Sequence, residues 1–483
     1  MTEAPINVMV SVPHGGAAGN ILRTGILSKV LEADRSLRVV MISPLVKDES
    51  FVREFTHPRI SFEELPPHRP EGLEARLMAL VQAGYLESGI TASVKIRREE
   101  AVAKRVVRWL PLKKRIARAV APSMLRPATR YDVIDRLVSH PHAEKLFDAH
   151  RPSLLLVSNP GLILSEVPLL RTAKKRGIRA MAIDPSWDNF TNKLIPVRRV
   201  DRLVVWNTIM RDQAVALHGY ETKDIRIAGA PQWDAYFQNG VIVSRDEFCR
   251  RIGADPALKL ITLTTTPLEL YGYYEQVIET LIAARERGRF GGRTQLLVRV
   301  HPRDSIERYA AFEGRPGVIV EKPFKKTVRA GDGMAVDVTA DAQRHLANTM
   351  RHSDVVVQVV STIAIEAAIF DTPIVNISFD GPHALPFVRS AKRYTEFTHW
   401  ANIADSNAIR DASTPDQMIE LVATYLDHPE LDREGRKQVA LDQCAFLDGR
   451  SGQRVAQFIS EEVAALAGRA LPSPCVESLA SSR

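Results

Sequence analysis

The stretch QVVSTIAIEAAIFDTPIVNIS, residues 358–378, decides the fold. Val355 to Val360 is apolar and rich in β-branched side chains, the composition of a strand covered on both faces. Ser361 and Thr362 follow where a helix must begin. Their hydroxyls can cap it, and the free N–H groups there attract anions. The run IAIEAAIF has an apolar face, and Asp371-Thr372-Pro373 ends it before a second buried strand, Ile374 to Ile377. Strand, helix and strand in that order form a right-handed crossover in a parallel sheet, whose ligands bind beyond the carboxyl ends of the strands. Ser361, Thr362 and, one turn later, Glu366 are therefore candidate phosphate and ribose contacts. The plainer reading of Ser-Thr is a helix cap and nothing more.

The same unit recurs on both sides. Toward the N-terminus, Ile6 to Val12 is a strand that runs into PHGGAAGN and then the helical pattern ILRTGILSKVLEAD. Gly15, Gly16 and Gly19 do not fit the dinucleotide-binding spacing, and no Lys-Ser/Thr follows as in a P-loop. A tight turn at Gly15 and Gly16 would still let a ligand approach the backbone. His14 on that turn is either a solvated loop histidine or a catalytic or substrate-contacting one. Further strands are expected at Leu37–Ile42, Ile60–Leu65, Leu154–Ser158, Ile178–Ile183, Arg202–Trp206 and Ile225–Ala228. Past the fourth of these runs comes DPSWDNFTNK, with Asp184, Ser186, Trp187, Asp188, Asn189, Thr191 and Lys193 clustered at a strand's carboxyl end. It reads as a binding loop, or as an Asx-rich turn plugged by Trp187. A second strand series starts at Leu260 to Thr264, opening on Thr265 and Thr266, and Gln295 to Val300 runs into HPRD with Arg299 and His301. The expected fold is α/β: two doubly wound, Rossmann-like parallel-sheet domains facing a cleft. The division falls at residues 1–240 and 241–470, and 471–483 is expected to be a disordered tail.

A chain of 483 residues is too long for one core. Its net charge of +8 is local. From Lys95 to Arg130 twelve basic residues face two acidic ones, a net of +10, so the remainder is slightly acidic. That excludes a general nucleic-acid binder and leaves one basic surface, on a helical excursion at 90–130. Val106, Val107, Trp109 and Leu110 lie among its cations. The segment reads equally as a membrane-surface contact and as a basic excursion packed on its own domain. Cys249, Cys444 and Cys475 are widely spaced and form no metal-type pair. No basic n-region precedes an apolar run at the start, and no apolar run reaches the ~18 residues of a spanning helix. A cytoplasmic protein is expected, with peripheral contact to the inner face of the membrane through the basic segment.

Six stretches taken in order carry a family resemblance: DPSWDNFTNK, VVWNTIMRDQAVALHGY, IAGAPQWDAYF, VRVHPRD, SDVVVQVVSTIAIEAAIFDTPIVNI and DGRSGQRVAQFI. From Val157 to Ile459 the chain resembles two-domain glycosyltransferases of the GT-B type. It is most similar to bacterial surface-polysaccharide enzymes and the CDP-glycerol glycerophosphotransferase family; the first third matches in architecture only. The resemblance implies a nucleotide-activated sugar as co-substrate, bound by the C-terminal half, with no separate cofactor. Arg299 and His301 would approach the diphosphate, and His301 matches the family's second cleft histidine. Ser361 and Thr362 would hold phosphate, Glu366 would contact ribose or the transferred group, and Thr265 and Thr266 would add hydroxyl donors. No Asp-x-Asp pair occurs in the chain, so no metal is expected. The N-terminal half would bind a glycan or lipid-linked acceptor through Gly15, Gly16, Ser186, Trp187, Asn189 and Lys193, with His14, Asp184 or Asp188 as base. The glycerophosphotransferases' cleft His-Gly motif is replaced here by Ser186-Trp187-Asp188-Asn189, which favours sugar transfer in cell-surface glycan assembly. A nucleotide-sugar 2-epimerase, a CDP-glycerol-type glycerophosphotransferase and a non-catalytic assembly partner are the alternatives.

Overall fold

The computed structural model describes residues 5–103, 119, 135, 137–193, 199–323 and 339–469. Most of the basic segment and the tail 471–483 lie outside them. Two all-parallel sheets organise the chain. The first contains β1 (Ile6–Ser11), β2 (Leu37–Ser43), β3 (Ile60–Glu64), β4 (Leu154–Val157), β5 (Arg179–Ile183), β6 (Arg202–Val205) and β7 (Ile225–Ile227). Their order is β3-β2-β1-β4-β5-β6-β7. The second contains β8 (Lys259–Thr264), β9 (Thr294–Arg299), β10 (Val318–Glu321), β11 (Val355–Gln358), β12 (Ile374–Ile377) and β13 (Ile409–Ala412), in the order β10-β9-β8-β11-β12-β13. This is the doubly wound pair of Rossmann-like sheets that the strand–helix alternation implied.

The strand order locates the binding mouths. In each sheet the chain runs outward in one direction and then restarts on the far side of its first strand. The switch point lies between β1 and β4 in one sheet and between β8 and β11 in the other. A crevice opens there at the carboxyl ends, because the loops leaving the two adjacent strands turn to opposite faces. His14 to Gly16 leave β1 and Thr265-Thr266 leave β8; Ser361-Thr362 leave β11.

Both faces of the first sheet are buried, which is why its strands read as near-continuous apolar runs. Val8, Val10, Val39, Met41, Leu154 and Leu156 form one face, packed beneath Ile26, Leu27 and Val30. The same cluster includes Val455, Ala456, Ile459 and Val463, so the terminal helix Ser451–Leu466 belongs to the first core. Glu462 on that helix pairs with Arg179 at 2.6 Å and Arg202 at 2.8 Å. The last helix, which the expected division places in the second half, thus returns across the molecule to pack on the first core.

Its entry is tightly fixed. Asp234 accepts from the backbone N–H groups of Ser451 at 2.9 Å and Gly452 at 2.6 Å. A Cβ on Gly452 would lie 2.8 Å from the Thr24 carbonyl oxygen, and one on Gly229, at φ +86°, would lie 2.5 Å from Ser451 Oγ. IAGAPQWDAYF and DGRSGQRVAQFI are thus two sides of one joint.

The glycine-rich stretch after β1 also differs from its reading as a turn. Helix begins at Gly15, passes through a π-helical turn at Ala18–Leu22 and breaks at Gly25, with φ 71°, before Ile26–Ala33. Small residues crowd against the sheet there, and Ala17, Ala18 and Gly19 are buried. Among the described residues no helix is long and apolar enough to cross a membrane.

Replacing Asp234 by Ala would leave two buried N–H donors unanswered, at about 1–3 kcal/mol each. Gly452→Ala would force the helix off Thr24. Both variants are expected to melt several degrees below the wild type in calorimetry, while Asp234→Asn retains part of the loss.

Candidate functional site

At the mouth of the second sheet, β9 runs into His301. The His301 N–H donates to Thr265 Oγ1 at 2.8 Å, and its ring Nδ1 accepts from the Arg303 N–H at 3.0 Å. Burial, with Arg303 nearby, pushes its pKa down to about 4, so the ring is neutral at pH 7. With Nδ1 serving as acceptor, the ring proton sits on Nε2. His301 is therefore a hydrogen-bond donor at this mouth rather than a base. Thr265 and Thr266 are buried and already engaged. Thr265 Oγ1 donates to Asp304 at 3.3 Å, and Thr266 Oγ1 receives the Tyr274 hydroxyl at 3.1 Å. Thr265 holds the HPRD turn through Asp304, which also accepts from Tyr309 at 2.5 Å and Arg308 at 3.0 Å.

Ser361 Oγ accepts from the Ile363 N–H at 3.3 Å, the capping contact its position implied. Thr362 makes no capping bond of its own. The turn is braced by Asn376, whose Oδ1 accepts from the Val360 N–H at 2.8 Å and whose Nδ2 donates to Asp411 at 2.6 Å. Gln358, fully buried at the end of β11, has no partner for either side-chain polar atom among the described residues. In the sequence its polar side chain stood out within the run VVVQVV, and no role was assigned to it.

Arg299 and Glu366 are placed differently from their expected ligand roles. Both are buried below the mouth. Arg299 pairs with Glu321 at 3.0 Å, and Glu321 also holds His345 at 2.8 Å. Glu366 accepts from the Tyr236 hydroxyl, which comes from the segment joining the two halves. Burial raises its pKa to about 7, against the lowering effect of Tyr236 and Arg299. Each answers a long-range partner, Arg299 through Glu321 and Glu366 through Tyr236.

In the first half, His14 Nδ1 accepts from the Ala17 N–H at 3.1 Å and so starts the helix at Gly15. That contact makes Nδ1 an acceptor, as in His301. Across the switch point, Glu166 accepts from Ser158 N at 2.9 Å and Ser158 Oγ at 3.0 Å. It is fully buried, and desolvation pushes it up to about 7. A carboxylate beneath this mouth was not anticipated from the sequence.

Asp184 and Asp188 diverge sharply. Asp184 is fully buried at the end of β5. Its Oδ1 accepts from the Ser186 N–H at 3.1 Å and from Asn189 Nδ2, while Oδ2 has no partner among the described residues. Burial lifts its pKa to about 7. Asp188 is also desolvated, but Lys193, 3.2 Å away, and His399 outweigh that and hold it well below the usual carboxylate range. Of the three proposed bases, Asp184 has its pKa raised to about 7, and its unpartnered oxygen is buried.

Trp187 is a plug, as the plainer reading had it. It is 5% exposed and lies edge-on to His399 at 4.9 Å and to Trp400 at 6.3 Å, both on the Thr398–Ala404 helix of the second half. Burial pushes His399 down to about 4. Beside it, Ser93 and Thr398 exchange hydrogen bonds of 3.2 and 2.9 Å, and Glu100 pairs with Arg393 at 2.8 Å. The loop 184–193 therefore lies where the two halves touch. Among the described residues one group has metal-ligand geometry, His68, Glu74 and His140. The Arg171 guanidinium already pairs with Glu74 and stands 3.3 Å from His140 Nε2, supplying the positive charge there.

No family model matches the chain. A lipid-A-disaccharide synthase of Syntrophotalea carbinolica (strain DSM 2380 / NBRC 103641 / GraBd1) is 24% identical over 247 residues, 49% of this chain and 56% of that protein. The chain thus spans little more than half the length of that relative. The solved UDP-GlcNAc 2-epimerase of Neisseria meningitidis, bound to UDP-GlcNAc, is 8% identical with a TM-score of 0.53, covering 94% of this chain and 99% of that one. The enzyme of the same name from Methanocaldococcus jannaschii is 10% identical with a TM-score of 0.51, with 94% and 99% covered. At such identities the likeness is one of fold. The architecture is GT-B, two Rossmann-like halves about a cleft, which glycosyltransferases and UDP-sugar epimerases share.

The proton on Glu366 has a measurable consequence. Its folded pKa of about 7 lies above the ordinary value of 4.5, so its contribution to stability is full below about 4.5 and is lost as pH rises through about 7. Glu366→Gln removes that titration. Relative to wild type, the variant is expected to gain on the order of 2 kcal/mol between about pH 5 and pH 8 in urea denaturation, where an unshifted carboxyl would give a flat difference.

Proposed function

We propose that the protein is a glycosyltransferase that moves a sugar, without a metal ion, from a nucleotide-activated donor to a glycan or lipid-linked acceptor in cell-surface glycan assembly. The observation that carries this is a contrast between the halves. One half holds, at the end of β5, a buried carboxylate with a pKa near 7 and one oxygen without a partner among the described residues, Asp184. The other offers donors: the Nε2–H of a neutral His301, with the Ser361 and Thr362 hydroxyls across the switch point.

That division suits glycosyl transfer. The acceptor hydroxyl attacks the anomeric carbon, its proton passes to Asp184, and the bond from that carbon to the phosphate oxygen breaks. The nucleoside diphosphate leaves with the electron pair, and its growing charge is met by His301, Ser361 and Thr362. Asp188, kept ionised by Lys193, orders the loop through Ser186 rather than taking the proton. The kinship to a lipid-A-disaccharide synthase supports this reading. Work at the inner face of the membrane, reached through the basic segment, is part of the same proposal.

A thermal-shift panel of nucleoside mono- and diphosphates in EDTA tests it. One base is expected to raise the melting temperature, and His301→Ala with Ser361→Ala to remove most of that shift. Asp184→Asn should keep nucleotide binding and lower kcat by about 10²–10⁴-fold, and it should abolish an acid limb near pH 7 in kcat/KM. Absence of any nucleotide shift sinks the transferase reading. Interconversion of free nucleotide sugar with no acceptor present would replace it with an epimerase.

A further inference from the structure

Between the insertion that follows β3 and the 184–193 loop lies a cavity of about 370 Å³, within the ~300–1,000 Å³ of small-molecule sites. Its apolar wall is Tyr85 and Leu86 on the helix Gly72–Ser88, Val94 on the helix Ala92–Ala103, and Leu162 from the loop after β4. Its polar side is Arg97, Asn192 and Lys193. The site therefore stands at the carboxyl edge of the first sheet, next to the loop that carries Asp184.

The walls are held in place. Thr91 Oγ1 donates to the Thr191 carbonyl at 2.7 Å, tying the insertion to the loop. Arg97 Nε donates to Asn192 Oδ1 at 3.1 Å, and its guanidinium lies 5.5 Å from the Phe397 ring centre. Arg97 faces Glu100 at 3.2 Å, which Arg393 also engages at 2.8 Å, and Lys193 faces Asp188 at 3.2 Å. The two cations that line the cavity still leave their side chains 42% and 45% exposed. An apolar pocket with two half-exposed cations at its rim selects a ligand with both an apolar body and an anionic head. The same helix leads directly into the segment of net charge +10.

We infer that this cavity takes the acceptor, and that the acceptor is an anionic amphiphile: its chain lies against Tyr85, Leu86, Val94 and Leu162, and its phosphate or carboxylate head sits between Arg97 and Lys193. The role as acceptor rests on the transferase reading; the binding itself does not. The arrangement narrows the acceptor class from any glycan to one that carries a lipid and a charge close to the hydroxyl that reacts.

Calorimetric titration with decyl phosphate below its micellar concentration tests the site, with decyl glucoside and inorganic phosphate as the other arms. Decyl phosphate is expected to bind at least tenfold tighter than either. Arg97→Ala and Lys193→Ala should each weaken it about tenfold, the scale of one charge-assisted hydrogen bond. Val94→Trp should fill the cavity and abolish binding. Retention of the nucleotide thermal shift in all three variants shows that the fold survives. Equal binding of inorganic phosphate means a bare anion site, and equal binding of decyl glucoside means unselective apolar adsorption; either overturns the proposal. So does capture by anionic phospholipid vesicles that is unchanged in Val94→Trp and accompanied by no decyl phosphate binding. Nucleotide binding without amphiphile binding removes this inference alone. Amphiphile binding without any nucleotide binding removes the transferase reading and leaves the cavity.

Discussion

Pro231–Phe237, a single 3₁₀ segment, holds both halves of the molecule at once. Asp234 faces one way and takes the N–H groups that open the terminal helix, which seals the first core. Tyr236 faces the other way and donates to Glu366 under the second sheet's mouth. Trp233, next to Asp234, packs against Trp206 at 5.0 Å, anchoring the segment to the end of β6. Four N–H groups at a helix start have no partner in their own helix, so a buried start needs an acceptor from elsewhere. Here that acceptor is more than two hundred residues away in sequence. The two sheets are consequently not two independent domains joined by a tether, since each depends on a chain segment that the other half delivers.

Burial acts on three carboxylates in the same direction and yields different chemistry, according to what else each one touches. Glu166, Glu366 and Asp184 are all raised to about 7. Glu166 accepts from a strand-end serine and stabilises a turn, and Glu366 accepts from a tyrosine and stabilises an interface. Asp184 is oriented through one oxygen and leaves the other without a partner among the described residues, as Glu166 does. A perturbed pKa nominates all three alike, so it does not by itself single out a reactive group. The two mouth histidines show the same principle at short range. Each spends Nδ1 on a backbone N–H two or three residues ahead, and in His301, which burial keeps neutral, this turns a nominal base into a donor.

Eleven of the strands were legible, nine of them interior strands in which burial on both faces demands unbroken Val, Ile and Leu runs. β10 and β13, the edges of the second sheet, were not, although β3 and β7, the edges of the first, were. An edge tolerates polar residues, as in VIVE and IRDA, and the periodic signal fades. The binding loops were legible for the same reason as the strands, because ligand mouths follow from strand order. What a loop residue does there was much less so. Glu366 and Tyr236 are 130 positions apart, and Arg299 and Glu321 lie on neighbouring strands that only the register aligns. Such partners turn an exposed-looking motif residue into an internal one. His399, in an aromatic run with no motif, was invisible until Trp187 was seen against it.

The contact between the halves near that histidine is built in a way that favours one arrangement over tight adhesion. Glu100 and Arg393 are each under 9% exposed, and removing such a pair from water costs nearly as much as their attraction returns. Such a pair contributes little net stability but strongly penalises misalignment, because any displacement leaves a buried charge alone. The reciprocal Ser93–Thr398 bonds have the same character: two modest interactions that are satisfied only in one register. Placed beside the 184–193 loop, this seam ties the position of Asp184 to that of the second half. A proton acceptor and a set of phosphate donors on separate sheets need such a constraint if they are to act on one substrate pair, since small misplacements of reacting groups slow transfer steeply. The seam supplies registration where an apolar interface of the same size would supply only adhesion.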